Sequence, residues 1–140
     1  MKNNLSNIKK SKYCLDKEEC IAIPTETVYG LAGNAYSNKA TLKIFKLKKR
    51  TKKNPLIVHY YNLKTLNNDC ITNDQFFKLY KKFCPGPLTF VLKLKKNSKI
   101  SKAIVRSEFP ARIAVDSPNF LCVDNFPLLK LSLSMHGKSS

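Results

Sequence analysis

Apolar residues gather in short runs separated by polar, lysine-rich stretches, and the runs repeat with two different periods. Cys20 to Ile23 is an apolar run closed by Pro24, which predicts a strand whose C-terminal end opens into a Thr25-Glu26-Thr27 loop. Ser37 or Asn38 is placed to cap a helix from Lys39 to about Arg50, with Ala40, Ile44, Phe45 and Leu47 on its apolar arc. Pro55 to Tyr61 (PLIVHYY) is dense in strand formers. From Thr72 to Phe83 the side chains Phe76, Leu79, Tyr80 and Phe83 recur at helical spacing, behind Thr72, Asn73 and Asp74 as caps. Pro85-Gly86-Pro87 ends that helix; Leu88 to Leu94 reads as a strand, Lys95 to Lys102 as a mobile loop, and Arg112 to Val115 as a further strand. Helices and strands alternating over short connections predict an α/β or α+β class, with residues 1–140 as one domain.

Charge changes this picture more than length does. The formal net charge is +17, and no acidic residue lies between Glu26 and Asp69, while Lys39, Lys43, Lys46, Lys48, Lys49, Arg50, Lys52, Lys53 and Lys64 do. Such a segment repels itself unless anionic material neutralises it, which points to phosphate-bearing partners such as nucleotides or RNA. A chain rich in Lys, Asn and Ile throughout also fits a compositionally biased genome. The five cysteines form no CxxC pair, so neither a disulfide framework nor a structural zinc site is expected, and no metal ligands are assigned. With no secretory pattern and no stretch near the roughly 20 apolar residues of a membrane span, a cytoplasmic location without membrane attachment is expected.

Two residues carry the candidate chemistry. At 100° per residue Lys39, Lys43, Lys46 and Arg50 share one stripe, whereas Lys48 falls in the arc of Ala40 and Ile44, where an unpaired ammonium is disfavoured. Either a bound anion is its partner, reached together with Arg50, or the helix ends before Lys48 and the side chain extends to water. In an alternating strand Leu56, Val58 and Tyr60 share one face and Ile57, His59 and Tyr61 the other, so His59 faces a cleft or is a satisfied structural residue. Thr25, Thr27 and Glu26 offer polar groups to a small ligand, or make ordinary turns.

PTETVYGL (Pro24 to Leu31), IFKLKKR (Ile44 to Arg50), NPLIVH (Asn54 to His59) and PGPLTFVL (Pro85 to Leu92), in this order, resemble the YrdC/TsaC family of threonylcarbamoyl-AMP synthases. The resemblance is firm over residues 20–94 and divergent over 95–140. It implies a twisted mixed sheet with flanking helices, and the nucleotidyl transfer that makes threonylcarbamoyl-AMP and pyrophosphate from L-threonine, bicarbonate and ATP with Mg2+. That is the first step of a tRNA modification, and tRNA and tRNA-modification proteins are implied partners; no organic cofactor is implied. By motif position, Lys48 and Arg50 are the implied catalytic pair and also bind nucleotide, with Asn54 and Ser134 beside the nucleotide. Thr25, Thr27, Tyr29, His59 and Ser132 are implied on the threonine side. The segment Ile113 to Pro118 departs from the family's VAVR-x-P by placing Asp116 where arginine is expected, and Ser134 stands where asparagine is expected. The serine-proline-threonine element that follows in the family is missing, so a truncated or degenerate C-terminus and a sheet incomplete there are expected. The rival readings are a noncatalytic tRNA- or double-stranded-RNA-binding module, and a nonfunctional remnant.

Overall fold

One six-stranded mixed sheet organises the chain, with strand order β1-β2-β6-β3-β5-β4. The computed structural model describes residues 5–24, 29–49, 56–86, 88–104, 110–115 and 128–131. Along the chain these form α1 (Leu5–Asp16), β1 (Ile21–Pro24), β2 (Tyr29–Asn34), α2 (Asn38–Leu47), β3 (Ile57–Tyr60), α3 (Leu63–Asp69), α4 (Asp74–Phe83), β4 (Thr89–Leu92), β5 (Ala111–Val115) and β6 (Leu128–Leu131). β3 and β5 are parallel, and the other four pairings are antiparallel. The strand from the divergent end, β6, lies between β2 and β3, so the edges of this sheet are β1 and β4.

The predicted strands and the two predicted helices appear close to their expected places, and their ends have local causes. Ser37 caps α2 by accepting from the Ala40 amide at 3.0 Å. The helix stops at Leu47, three residues short of the expected Arg50, because Lys49 takes φ 49°, the left-handed turn that ends many helices. Asn73 is the cap of α4 and accepts from the Phe76 amide at 2.8 Å. The sequence pattern gave no warning of α1, β2, α3 or β6. Glycines and a lysine-rich composition mask β2 and α1, while α3 is too short for a helical period to show.

Alternation decides which side of the sheet is covered. Val58, Tyr60, Phe90, Ala111, Ile113 and Val115 are buried, and together with Ile44 and Phe45 of α2 and Phe76 of α4 they belong to the main core. Each side chain of the size of Ile44 or Ile113 stabilises the fold by roughly 1.5–3 kcal/mol when fully removed from water. α2 approaches this side over Gly33: a Cβ there would lie 3.1 Å from Ile44 Cδ1 and 3.4 Å from Ala40 Cβ. Three apolar residues expected in the packed arcs lie outside them, since Leu47 is 57% exposed, Phe83 47% and Leu79 38%. Leu47 is the last helical residue and turns away with the helix end. On α4, Phe77 takes the inward place instead of Phe83 and packs against the core, edge to face with Phe76 at 5.3 Å.

The Lys95–Lys102 segment, expected to be mobile, is held by hydrogen bonds that converge on Asp69. This buried carboxylate accepts from Tyr36 Oη at 2.8 Å, Tyr60 Oη at 2.9 Å, Ser98 Oγ at 3.2 Å and the Lys99 amide at 3.3 Å. Its backbone carbonyl takes the Lys95 amide at 2.8 Å. Further on, the Ser101 amide donates to the Ala35 carbonyl at 2.8 Å and the Ser101 hydroxyl to Asn38. Lysines on the outside say nothing about how the backbone beneath them is satisfied, and here the anchors include the buried Asp69 and Ser101 and the half-buried Ser98.

Candidate functional site

The side of the sheet opposite the core is the more open one over β3, β5 and β4. Ile57, Arg112 and Val91 stand in one row across these strands, and His59, Ala114 and Thr89 in the next. Arg112, Val91 and Thr89 are exposed, Ile57 and His59 half-buried, and Ala114 is 9% exposed. With strands about 4.8 Å apart, His59 and Thr89 stand about 10 Å from each other across the short Ala114 side chain, which leaves a shallow trough between them. None of the six strands contains an aspartate or glutamate, whereas His59, Arg112 and Lys130 lie on them. Among the described residues this surface presents a guanidinium and a hydroxyl and no carboxylate, which suits an anionic ligand.

Of the residues singled out in the sequence, Tyr29, Lys48 and His59 are described; Thr25, Thr27, Arg50, Asn54, Ser132, Ser134 and Asp116 lie outside the described residues. His59 is where alternation put it, on the face away from Leu56, Val58 and Tyr60, which are 0%, 0% and 1% exposed. Tyr29 opens β2 opposite Pro24 and is 62% exposed. Lys48 is the C-cap of α2, half-buried, its amide donating to the Ile44 carbonyl at 3.1 Å. The second reading of Lys48 is thus right about the helix, which ends before it, while the side chain is not fully in water. Among the described residues no carboxylate pairs with it: the ion pairs are Lys12–Asp16 at 3.2 Å and Lys43–Glu19. α2 lies on the core side of Gly33, which is in register through Leu129 with Val58, so Lys48 and His59 come from opposite sides of the sheet. No described contact joins them. The stripe of lysines on α2 is also less uniform than its spacing implies, because Lys43 is neutralised by Glu19 from the α1–β1 connection.

Beneath the open face, ionisable groups are tuned toward neutrality. Burial, then the charge of Asp69, pushes the Cys70 thiol up to about 12. The Tyr60 and Tyr36 hydroxyls are raised in the same direction, by burial first, with Asp69 adding to it. In the unfolded chain a cysteine ionises near 8.5, so the thiol of the folded protein stays protonated over a range in which the unfolded one does not. The Cys70 contribution is therefore complete below about pH 8 and is lost progressively up to about 12. We expect the stability advantage of the wild type over Cys70→Ala, from urea midpoints, to shrink by up to about 1.4 kcal/mol per pH unit above pH 9. An advantage that stays constant from pH 7 to 10.5 contradicts this.

A family model described as "Telomere recombination", that of Sua5, YciO and YrdC, matches residues 13–125. The chain belongs to this Sua5/YciO/YrdC family. Among its relatives, the threonylcarbamoyl-AMP synthase of Bacillus subtilis is 33% identical over 144 residues, covering 100% of this chain and 42% of that protein. The putative threonylcarbamoyl-AMP synthase of Methanocaldococcus jannaschii is 32% identical over 116 residues, covering 83% of this chain and 55% of that protein. The solved structure of P. abyssi Sua5 complexed with L-threonine superposes with a TM-score of 0.81 at 28% identity, over 91% of this chain and 38% of that one. The chain thus spans about half the length of the curated relatives it matches.

Within this Sua5/YciO/YrdC domain, Arg112 is the candidate that sequence reasoning passed over. In the sequence it is only the start of an expected strand, and the departure in charge falls at Asp116, four residues on. The available signal was the lone cation in the apolar run Ala111-Arg112-Ile113-Ala114-Val115: a charged residue at an alternate position of a strand marks its solvent side. Which other side chains share that side follows from the pairing with β3 and β4, and that is a property of the sheet.

Proposed function

We propose that this chain forms threonylcarbamoyl-AMP, or supplies the domain of a longer protein that does so. The amine of L-threonine and bicarbonate give a carbamate with loss of water. A carbamate oxygen then bonds to the α-phosphorus of ATP as the bond to the β-phosphate oxygen breaks, releasing pyrophosphate. ATP enters as its magnesium complex, the metal riding on the substrate's phosphates. The protein's task is to hold several negative oxygens close together and in line, which demands positioning and fixed positive charge more than covalent chemistry.

The observation that carries this reading is the open face, which holds no carboxylate among its described residues, with His59, Thr89 and Arg112 on three adjacent strands, in a chain of this family. In this reading Arg112 engages phosphate oxygens from the open face, and Lys48, carried by α2 on the other side of the sheet, reaches them with Arg50, Asn54 and Ser134 round the end of the sheet where β3 begins. His59, with Thr25, Thr27, Tyr29 and Ser132, borders the threonine. The threonine held by P. abyssi Sua5 supports that amino acid as substrate, and the names of the two synthases support the product. The modified nucleoside would be made in tRNA, by partner proteins that take over the adenylate. Purified protein with ATP, Mg2+, bicarbonate and L-threonine is expected to release pyrophosphate, with release falling to background when threonine is omitted. Release that ignores threonine, or none at all, overturns the reading.

A further inference from the structure

Glu18 stands where a helix usually ends on glycine. α1 closes on Glu18 at φ 59°, with the Glu18 amide donating to the Leu15 carbonyl at 3.0 Å and the Glu19 amide to the Cys14 carbonyl at 2.9 Å. A Cβ is disfavoured at that left-handed position. What glycine would lack is the carboxylate, and Glu18 Oε1 accepts from Ser37 Oγ at 2.7 Å while Ser37 Oγ accepts from the Ala40 amide at 3.0 Å. The next two residues reach α2 as well. Glu19 pairs with Lys43, and the Cys20 thiol donates to the Ala40 carbonyl at 3.7 Å. The first turn of α2 holds no acidic residue and does hold Lys39, so the negative charge that a helix N-terminus favours comes from this connection. The connection is itself anchored, since Leu15 of α1 is 0% exposed.

We propose that Glu18 and Glu19 are positioning residues for Lys48: from the α1–β1 connection they hold the N-terminal half of α2, and with it the cation at the helix's other end. The inference rests on Lys48 acting in the proposed reaction. A helix of 10 residues is marginal by itself in water, so α2 depends on these outside contacts and on Ile44 packing over Gly33. All of these contacts fall between Ser37 and Ile44. Lys48 follows about 7.5 Å beyond Lys43 along the helix axis, tied back by its amide to the Ile44 carbonyl at 3.1 Å and without an ion pair among the described residues. The Glu19–Lys43 pair, with side chains 47% and 38% exposed, adds little to global stability. Its effect on the reaction is of another kind, because a displacement of about 1 Å in a group that holds the reacting oxygens can cost up to about 10²-fold in rate.

The test separates position from stability. Glu18→Ala removes the carboxylate and keeps the Cβ, whereas Glu18→Gly removes both, so Glu18→Gly is expected to unfold at a higher urea concentration than Glu18→Ala. Both are nevertheless expected to lower kcat for threonine-dependent pyrophosphate release about tenfold, with KM for threonine changed less than about threefold. Glu18→Gln keeps an acceptor for Ser37 and is expected to recover at least about half of the rate. Glu19→Gln, which breaks the pair with Lys43, is expected to lower kcat about threefold. Asp16→Asn removes a carboxylate of α1 that pairs with Lys12 and is expected to leave the rate unchanged. Independently of the reaction, hydrogen exchange of the Lys48 amide, followed by NMR, is expected to be at least about threefold faster in Glu18→Gly and Glu18→Ala than in the wild type. The Cys70 amide, bonded to the Leu66 carbonyl at 2.8 Å, is expected to exchange as before. Unchanged exchange at Lys48, equal acceleration at Cys70, or a rate that recovers with stability in Glu18→Gly would each overturn the inference, and Glu19→Gln without effect removes Glu19 from it. A wild type that releases no threonine-dependent pyrophosphate overturns the proposed function instead, and exchange at Lys48 then decides whether the connection holds the helix end.

Discussion

Asp69→Ala is expected to lose roughly 3–5 kcal/mol of stability, the largest loss from any single polar change among the described residues. The carboxylate accepts from two tyrosine hydroxyls, a serine hydroxyl and a backbone amide, and the Tyr60 side chain that bonds it is itself 1% exposed. Removing the acceptor leaves Tyr60 Oη without a partner where water does not reach, which costs about 1–3 kcal/mol on its own. The hydrogen bonds from Tyr36, Ser98 and Lys99 are lost at the same time, and with them the tie between α3 and the Lys95–Lys102 segment. Asp69→Asn keeps an acceptor oxygen and is expected to lose about half as much, and Tyr60→Phe about 1–2 kcal/mol, because it removes donor and bond together. Urea denaturation of the three variants checks the order. A loss below about 1 kcal/mol for Asp69→Ala contradicts the account of the buried hub.

Lys48→Ala is expected to behave in the opposite way, lowering threonine-dependent pyrophosphate release about 10²- to 10³-fold while leaving stability unchanged or slightly higher. Lys48 is half-buried at the end of α2, lies between Lys46 and Lys49, and meets no carboxylate among the described residues. In the free protein it contributes repulsion, so its removal relieves the fold. Against a phosphate or carboxylate oxygen at about 4 Å the same charge is worth on the order of 4 kcal/mol at an intermediate dielectric, and the expected rate loss corresponds to most of that. Lys48→Arg keeps the charge with a planar head group and is expected to recover part of the activity. Full activity in Lys48→Ala, or a drop in its unfolding midpoint that matches the drop in activity, removes Lys48 from the proposed mechanism.

Part of this protein was legible before any fold was known. The alternation in Leu56 to Tyr61 set His59 on the other face from Leu56, Val58 and Tyr60, and the structure keeps that division because a strand's period of two is local and owes nothing to neighbours; which face is the core was left to the fold. A cap at Ser37 or Asn38 and another among Thr72, Asn73 and Asp74, and the stop after Phe83, follow equally from side chains and backbone a few residues apart, and the fold selects Ser37 and Asn73. The four ordered motifs carried the family, which the match over residues 13–125 bears out.

Other features exist only because distant segments meet. The strand at Leu128–Leu131 enters the middle of the sheet from a divergent part of the chain, and nothing in its four residues names β2 and β3 as its partners. Arg112 shares a face with His59 and Thr89 through strand register, and Lys43 loses its free charge to Glu19 across the α1–β1 connection. Asp69 looked like nothing more than the end of an acid-free stretch until Tyr36, Tyr60 and Ser98 were seen to converge on it. Sequence determined α2, α4, β1, β3, β4 and β5 and the excess of positive charge, since periodicity, capping and composition act over a few residues. Tertiary structure decided which charges are neutralised, which loop is rigid and which side chains line one surface, since hydrogen bonds and ion pairs between remote segments depend on the packed chain.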